Sequence, residues 1–301
     1  MKLEAGQVAV VTGAGSGIGF ALAERFAQAG LDVVLADVDD AALASAAERI
    51  GAHGVATLAV RTDVSDEASV QALAAATAER FGGVHVVCNN AGVMSAGDAW
   101  FGPLTSWEWV MGVNFWGVVH GIRAFLPAMA MQPGGGHFVN TASIAGLLPG
   151  FGAVYDASKH AVVAISEDLY LNMQAAGLPI GVSVLCPGWV RTGILDADRN
   201  WPDQLGEKPP PGIGNDVVIG HVRRVIDEGT PPAVIADLIA DSVQAERFWV
   251  LPHPEFNDLA VRRWHDIAEG VNPAQDRQVP GLPSMEELAA EIASSLAPPP
   301  S

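Results

Sequence analysis

The chain has 301 residues, 50% hydrophobic and 17% charged, enough apolar material to build a sizeable core without disulfides or metals. Its 34 acidic residues against 16 basic ones give a formal charge of -18. That balance argues against nucleic acid or an anionic membrane as a partner, since both need a positive surface.

Residues 7–12 (QVAVVT) form a short β-branched run that predicts a buried strand. It feeds a glycine loop, Thr12 to Gly19, and a helical pattern over 18–29 that Gly30 closes. Strand, loop and helix in this order bring backbone N–H groups and the positive end of a helix dipole to a phosphate. Gly13, Ser16, Gly17, Ile18 and Gly19 are the expected cradle. The second strand, 32–36, is followed by Asp37 and Val38, about 20 residues past the loop, where an acidic side chain hydrogen-bonds adenosine ribose hydroxyls. A carboxylate there repels a 2′-phosphate, and neither Ser16 nor Val38 supplies a cation, so NAD is expected rather than NADP. A strand-end Asp that caps the following helix is the plainer alternative, although Asp39 and Asp40 lie nearer that helix.

The alternation continues with a helix over 40–50, a strand over 55–60, Asp63-Val64 at its end, and a helix over 66–81. A fourth strand, 84–88, ends in Asn89-Asn90-Ala91-Gly92, small and amide residues that let a flat ring pass close to the backbone. Such strand ends are also common turns. A long helix is predicted over 105–131 with Asn114, a mediocre helix former, in its interior. Cys88 and Cys186 each end an apolar run and read as buried free thiols. No charged-then-apolar leader and no membrane-length apolar run is present, so a soluble cytoplasmic protein is expected. The eight histidines show no metal-ligand spacing, and no metal is expected.

The stretch 137–159 reads HFVNTASIAGLLPGFGAVYDASK. A strand over 137–142 leads to Ser143, a Gly/Pro-rich loop follows, and a helix opens near Val154. Tyr155 and Lys159 are about one turn apart and share a helix face. A phenol and an ammonium then face a hydroxyl at the carboxyl end of a strand, where open α/β sheets bind ligands. An isolated Tyr titrates near 10, and a cation within about 4–6 Å favours the phenolate, which makes Tyr155 an acid/base candidate. Taken by itself, the pair is also what an ordinary exposed helix contact looks like. The helix runs to about residue 176, and a strand over 180–185 ends in Cys186-Pro187-Gly188-Trp189-Val190-Arg191-Thr192. Residues 193–231 are an irregular lid with one helix over 215–227. A helix over 232–245 and a last strand over 248–251 follow. Helical patterns over 256–269 and 284–296 and a Pro-rich tail end the chain. Strands that alternate with helices predict an α/β fold, a doubly wound parallel sheet of Rossmann type. The expected organisation is one domain over 1–254 with the lid inserted, and a helical extension over 255–301.

Over about residues 7–252 the sequence resembles the short-chain dehydrogenase/reductase family. The matching motifs are the glycine loop, Asp63, Asn89 to Gly92, Asn114, Ser143, the Tyr155–Lys159 pair, and Pro187-Gly188 with Thr192, all in the family's order. The resemblance implies a catalytic tetrad of Asn114, Ser143, Tyr155 and Lys159. In that family Tyr is the acid/base, Ser positions the substrate oxygen, Lys lowers the Tyr pKa and binds the nicotinamide ribose, and Asn holds a water in a relay to Lys. It also implies cofactor contacts from Asp63, Val64, Asn90, Ala91, Gly92, Pro187, Gly188, Val190 and Thr192. The stretch 247–254 (RFWVLPHP) is similar to longer bacterial relatives that act on bulky aromatic or alicyclic alcohols. About 50 residues extend past the compact members of the family.

Met94, Trp100, Ala145, Leu147, Pro149, Phe151, Trp189, Ile194, Leu195 and Trp201 are the expected pocket wall, with no clustered Arg or Lys to hold a carboxylate or phosphate. The expected activity is NAD-dependent interconversion of a lipophilic (aromatic, alicyclic or steroid/terpene-like) secondary alcohol and its ketone, in a homo-oligomer, dimer or tetramer. The alternative is an NAD-binding sensor or scaffold whose extension binds a partner. Leu259, Trp264 and Ile267 stand at helical spacings and predict one apolar face buried on the subunit's own lid or on a neighbour.

Overall fold

Short apolar runs that bury both faces pair in parallel when helices cover the sheet. The computed structural model describes residues 1–212, 215–274 and 278–295, so the Pro-rich tail and Leu296 lie outside the described residues. Among these, β1 (Val8–Thr12), β2 (Asp32–Asp37), β3 (Thr57–Arg61), β4 (Val86–Asn89), β5 (Gly136–Thr141), β6 (Ile180–Leu185) and β7 (Trp249–Val250) form one sheet. Its order is β3-β2-β1-β4-β5-β6-β7 and every neighbouring pair is parallel.

The helices are α1 (Gly17–Gln28), α2 (Asp40–Gly51), α3 (Glu67–Phe81), α4 (Thr105–Met111), α5 (Gly117–Met131), α6 (Ala153–Ala176), α7 (Asn215–Asp227), α8 (Pro232–Gln244), α9 (Asn257–Ala268) and α10 (Met285–Ser295). Leu22, Phe26, Leu43, Ile50, Ile235 and Ile239 from α1, α2 and α8 bury one face of the sheet. Leu73, Phe125, Met129, Leu169 and Met173 from α3, α5 and α6 bury the other. The chain turns back between β1 and β4, and there the strand ends open a crevice. This is the doubly wound, Rossmann-type sheet expected from the alternation. Strand ends shift by one or two residues, and the last strand shortens to the two residues that pair with Val184 and Leu185. Among the described residues no helix is long and apolar enough to cross a membrane.

Two expectations change. The helix predicted without interruption over 105–131 contains a π-helical stretch, Gly112–Trp116. A π turn widens the helix locally and turns a chosen side chain inward. Asn114 sits on it and is fully buried. The second change concerns α9. Leu259 packs beside Phe256, but Trp264 and Ile267 are 59% and 52% exposed, so of the two placements expected for this face the subunit's own lid is not the one that covers it. The extension's own contact with the lid comes from α10 instead. Leu288 is buried, and Glu291 Oε2 meets His221 Nε2 of α7 at 2.8 Å.

Candidate active site

A cavity of about 550 Å³ opens over the carboxyl ends of the strands. Its nucleotide-side wall is backbone. Gly13 adopts φ +65°, and a Cβ there would stand 2.9 Å from Ala91 Cα. α1 begins at Ser16 without a side-chain cap and with no acidic residue in its first turn, so its amide dipoles meet no carboxylate of their own. Gly13, Ser16, Gly17 and Ile18 line the cavity. Gly19 is packed behind, where a Cβ would lie 2.0 Å from Gly13 O and 2.6 Å from Asn90 Nδ2. Asp37 Oδ2 accepts from Gly15 N at 2.9 Å and Oδ1 from Asp39 N at 3.0 Å. The helix-capping job falls to Asp39, which accepts from the amides of Ala41 and Ala42, and Asp37 faces the cavity beside Val38. Asp63 and Val64 line it further along. A bare-backbone cradle, an uncapped helix start and a carboxylate at the second strand's end are a donor and acceptor set that fits a dinucleotide.

Thr12 ties the first strand to the fourth. Its Oγ1 accepts from Asn90 N at 2.9 Å and Ala91 N at 3.1 Å, and Asn90 Nδ2 donates to Thr12 O at 3.0 Å. Thr141 Oγ1 donates to Asn90 Oδ1 at 3.2 Å. Asn90, Ala91 and Gly92 are thereby held at the cavity wall.

Ser143, Tyr155 and Lys159 line the cavity together, from the turn after β5 and the first turns of α6. Ser143 Oγ accepts from Ala145 N at 3.1 Å and donates to Pro187 O at 3.4 Å. Lys159 Nζ donates to Thr141 O at 2.9 Å and lies 5.6 Å from the centre of the Tyr155 ring. Burial governs both titrations. It pushes Tyr155 up to about 12, and the Ser143 hydroxyl acts in the lowering direction. It pushes Lys159 down to about 8. The phenol of the chain alone therefore lies above its ordinary value, opposite in direction to the expectation from its cationic neighbour, because burial penalises the anion.

Asn114 stands behind this group and not on the cavity wall. Its Oδ1 accepts from Val93 N at 2.8 Å, and Nδ2 donates to Val93 O and to Ser158 Oγ, each at 3.0 Å. With both N–H groups engaged, the second Oδ1 lone pair is what the amide has left to offer a water. A Cβ built at Gly92 would be 3.5 Å from both Asn114 Oδ1 and Lys159 Nζ, so the two groups flank the same glycine.

Pro187, Gly188, Val190 and Thr192 reach the cavity from the loop after β6. Of the expected pocket residues, Met94, Phe151, Trp189, Ile194 and Trp201 line it. Five others do not. Ser143 caps a tight 3-10 turn, Ile144–Gly146, which curls Ala145 into the core and packs Leu147 on Val162 and Val163, while Pro149 is exposed. Ile194–Asn200 is a 3-10 stretch kinked at Asp196, from which Ile194, Ala197, Arg199 and Asn200 reach the cavity and Leu195 does not. Trp100 is 74% exposed and leans on Trp107, outside the wall.

Sequence reasoning missed Trp109, Arg199, Asn200, Val222 and Ile226, which also line the cavity. Trp109 meets Trp201 edge-on at 5.0 Å. The lid is tied down by Gly212 N donating to Ala96 O at 3.2 Å and by an antiparallel bridge between Gly97 and Pro211. Arg199 brings a single cation to this wall, where no cluster of Arg or Lys was expected, and its Nη1 donates to Asp196 O at 2.9 Å. These positions are set by packing between segments distant in sequence, which leaves no local signal.

The short chain dehydrogenase family model matches residues 7–203. The 1-deoxy-11-beta-hydroxypentalenate dehydrogenase of Streptomyces avermitilis is 46% identical over 265 residues, 86% of this chain and 89% of that protein. The C alpha-dehydrogenase of Sphingobium sp. is 28% identical over 286 residues, 94% of this chain and 92% of its own. A short-chain dehydrogenase/reductase from Burkholderia phymatum, solved in complex with NAD, superposes with a TM-score of 0.89 at 43% identity, covering 93% of this chain and 100% of that one. The chain belongs to the short-chain dehydrogenase/reductase family of oxidoreductases.

Proposed function

We propose that the protein interconverts a lipophilic secondary alcohol and its ketone with NAD as cofactor. The observation that carries this reading is the convergence of the Ser143 hydroxyl, the Tyr155 phenol and the Lys159 ammonium on one cavity whose far wall holds Phe151, Trp109, Trp189 and Trp201. Gly13 to Ile18, Asn90 to Gly92 and Pro187 to Thr192 would hold the cofactor, with Asp37 at the adenosine ribose. When bound, a nicotinamide supplies the hydride acceptor or donor.

The chain's own residues supply proton handling and orientation. Ser143 hydrogen-bonds the substrate oxygen, and Tyr155 removes its proton in oxidation or returns one in reduction. A protonated Lys159 favours the phenolate that oxidation requires. Asn114 fixes Val93 through both of its backbone groups and so holds the loop that carries Gly92. Aromatic walls exclude water and favour an apolar substrate body. The relative named as a dehydrogenase of 1-deoxy-11-beta-hydroxypentalenate and the NAD-bound Burkholderia structure support this reading.

The test is NADH or NADPH formation by wild type and Tyr155→Phe over a panel of hydrophobic secondary alcohols. Turnover with NAD is expected, with kcat reduced about 100- to 10,000-fold in the variant while NADH binding persists. Tight NADH binding without turnover on any alcohol would point instead to a nucleotide-binding sensor, whose function Tyr155→Phe would leave intact.

A further inference from the structure

His253 follows β7, outside the region matched by the family model, and is 7% exposed. Its Nδ1 accepts from Gly188 N at 2.9 Å. An imidazole that accepts at Nδ1 carries its proton on Nε2. That Nε2 lies 3.0 Å from Trp189 O and 3.1 Å from Thr230 Oγ1. Thr230 N also donates to Trp189 O at 3.0 Å, so the loop after β6 is gripped at two successive residues, Gly188 and Trp189. Packing reinforces the grip. A Cβ at Gly188 would stand 2.6 Å from Phe256 Cε2 and 3.1 Å from His253 Cγ, which means both rings press on bare backbone.

The next side chain continues the pattern. Trp189 Nε1 donates to Pro280 O at 2.8 Å, and its ring meets Phe256 at 6.2 Å and Phe151 at 5.8 Å, both edge-on. Gly188 and Trp189 line the cavity, whereas His253, Phe256 and Pro280 stand behind them.

We infer that His253 is a positioning residue for the Gly188–Trp189 wall, and that the C-terminal segment, through Phe256 and the Pro280 carbonyl, makes the Trp189 ring a fixed determinant of substrate shape. The inference rests on the proposed dehydrogenase reading for its kinetic consequence only. The anchoring itself is a property of the chain.

The experiment uses the full-length chain and its variants His253→Leu, His253→Asn and His253→Gln. Hydrogen exchange of the unliganded protein is followed in the peptide covering residues 186–192. Loss of the acceptor in His253→Leu should speed exchange there about tenfold. Asn places an oxygen where Nδ1 was and should restore protection, whereas Gln reaches toward the Nε2 partners and should not. Kinetically, His253→Leu should raise KM for bulky alcohols more than KM for NAD, with Asn rescuing both. Should His253→Leu fail to fold, the Asn–Gln contrast decides. Equal exchange at 186–192 in wild type and all folded variants would overturn the inference, as would faster exchange spread evenly over β6 and β7. If the wild type turns over no alcohol, the dehydrogenase reading falls while the exchange result still judges the anchor.

Discussion

The two sides of the cavity are built by different means. The side proposed for the nucleotide is made mainly of strand ends and helix starts, and its groups are backbone amides, glycines and the carboxylates of Asp37 and Asp63, with Thr12 holding Asn90 and Ala91 in place. The substrate side is made of 3-10 turns, the lid and the C-terminal extension. Its contacts join residues far apart in sequence, as with Trp189 and Pro280 or Asn215 and Ala96. The first is a consequence of regular structure, and close backbone approach makes it intolerant of added atoms. The second is a consequence of packing between irregular segments, and it can be reshaped without loss of the sheet. Chemistry and cofactor binding should therefore fail abruptly when the first is altered, while selectivity should drift when the second is.

The largest effect expected in this comparison is Gly19→Ala. A Cβ 2.0 Å from Gly13 O forces the loop apart, which should cost about 1–3 kcal/mol of stability and weaken NADH binding more than tenfold. Thermal denaturation and NADH titration check both, and a variant indistinguishable from wild type would break the view that this side is rigid. A smaller effect is expected at Asp37. Exchanging Asp37→Ser with Val38→Arg removes the carboxylate and adds a cation, and should move the ratio of kcat/KM for NADP over NAD by about tenfold, equivalent to about 1.4 kcal/mol. An unchanged ratio would take cofactor choice away from this strand end.

The smallest effect concerns pH. Lys159 titrates near 8 in the fold against 10.5 ordinarily, so the unfolded chain holds its proton more tightly and stability rises as pH rises above 8. Cys186 is pushed from 9.0 up to about 12 and Tyr155 from 10.0 up to about 12, and for these the folded chain holds the proton more tightly, so stability falls above 9. Urea midpoints should pass through a maximum near pH 9, and the rise from 8 should vanish in Lys159→Met. A wild-type curve without that rise, or one shared by the variant, would count against a buried, partly desolvated Lys159.

The strands, the helices and the line of motifs from Gly13 to Thr192 could be read from the sequence. Parallel strands announce themselves as apolar runs, and one helical turn fixes Tyr155 and Lys159 on one face whatever surrounds them. Even α7 was legible, from its periodicity inside an irregular segment. What stayed hidden depends on how segments meet. The π turn at Gly112–Trp116 carries no composition of its own, yet it decides that Asn114 is buried behind Gly92. Ala145 and Leu195 look like pocket residues by position, and the tight turns that carry them point them elsewhere. The sign of the Tyr155 shift was read from a pairwise charge argument, whereas burial, which no spacing reveals, governs it. Local periodicity and strand-end chemistry thus determined the fold class and the side chains proposed to react. Only tertiary packing decided which side chains wall the substrate end, because that wall is assembled by contacts between segments with no shared periodicity, His253 and Pro280 among them.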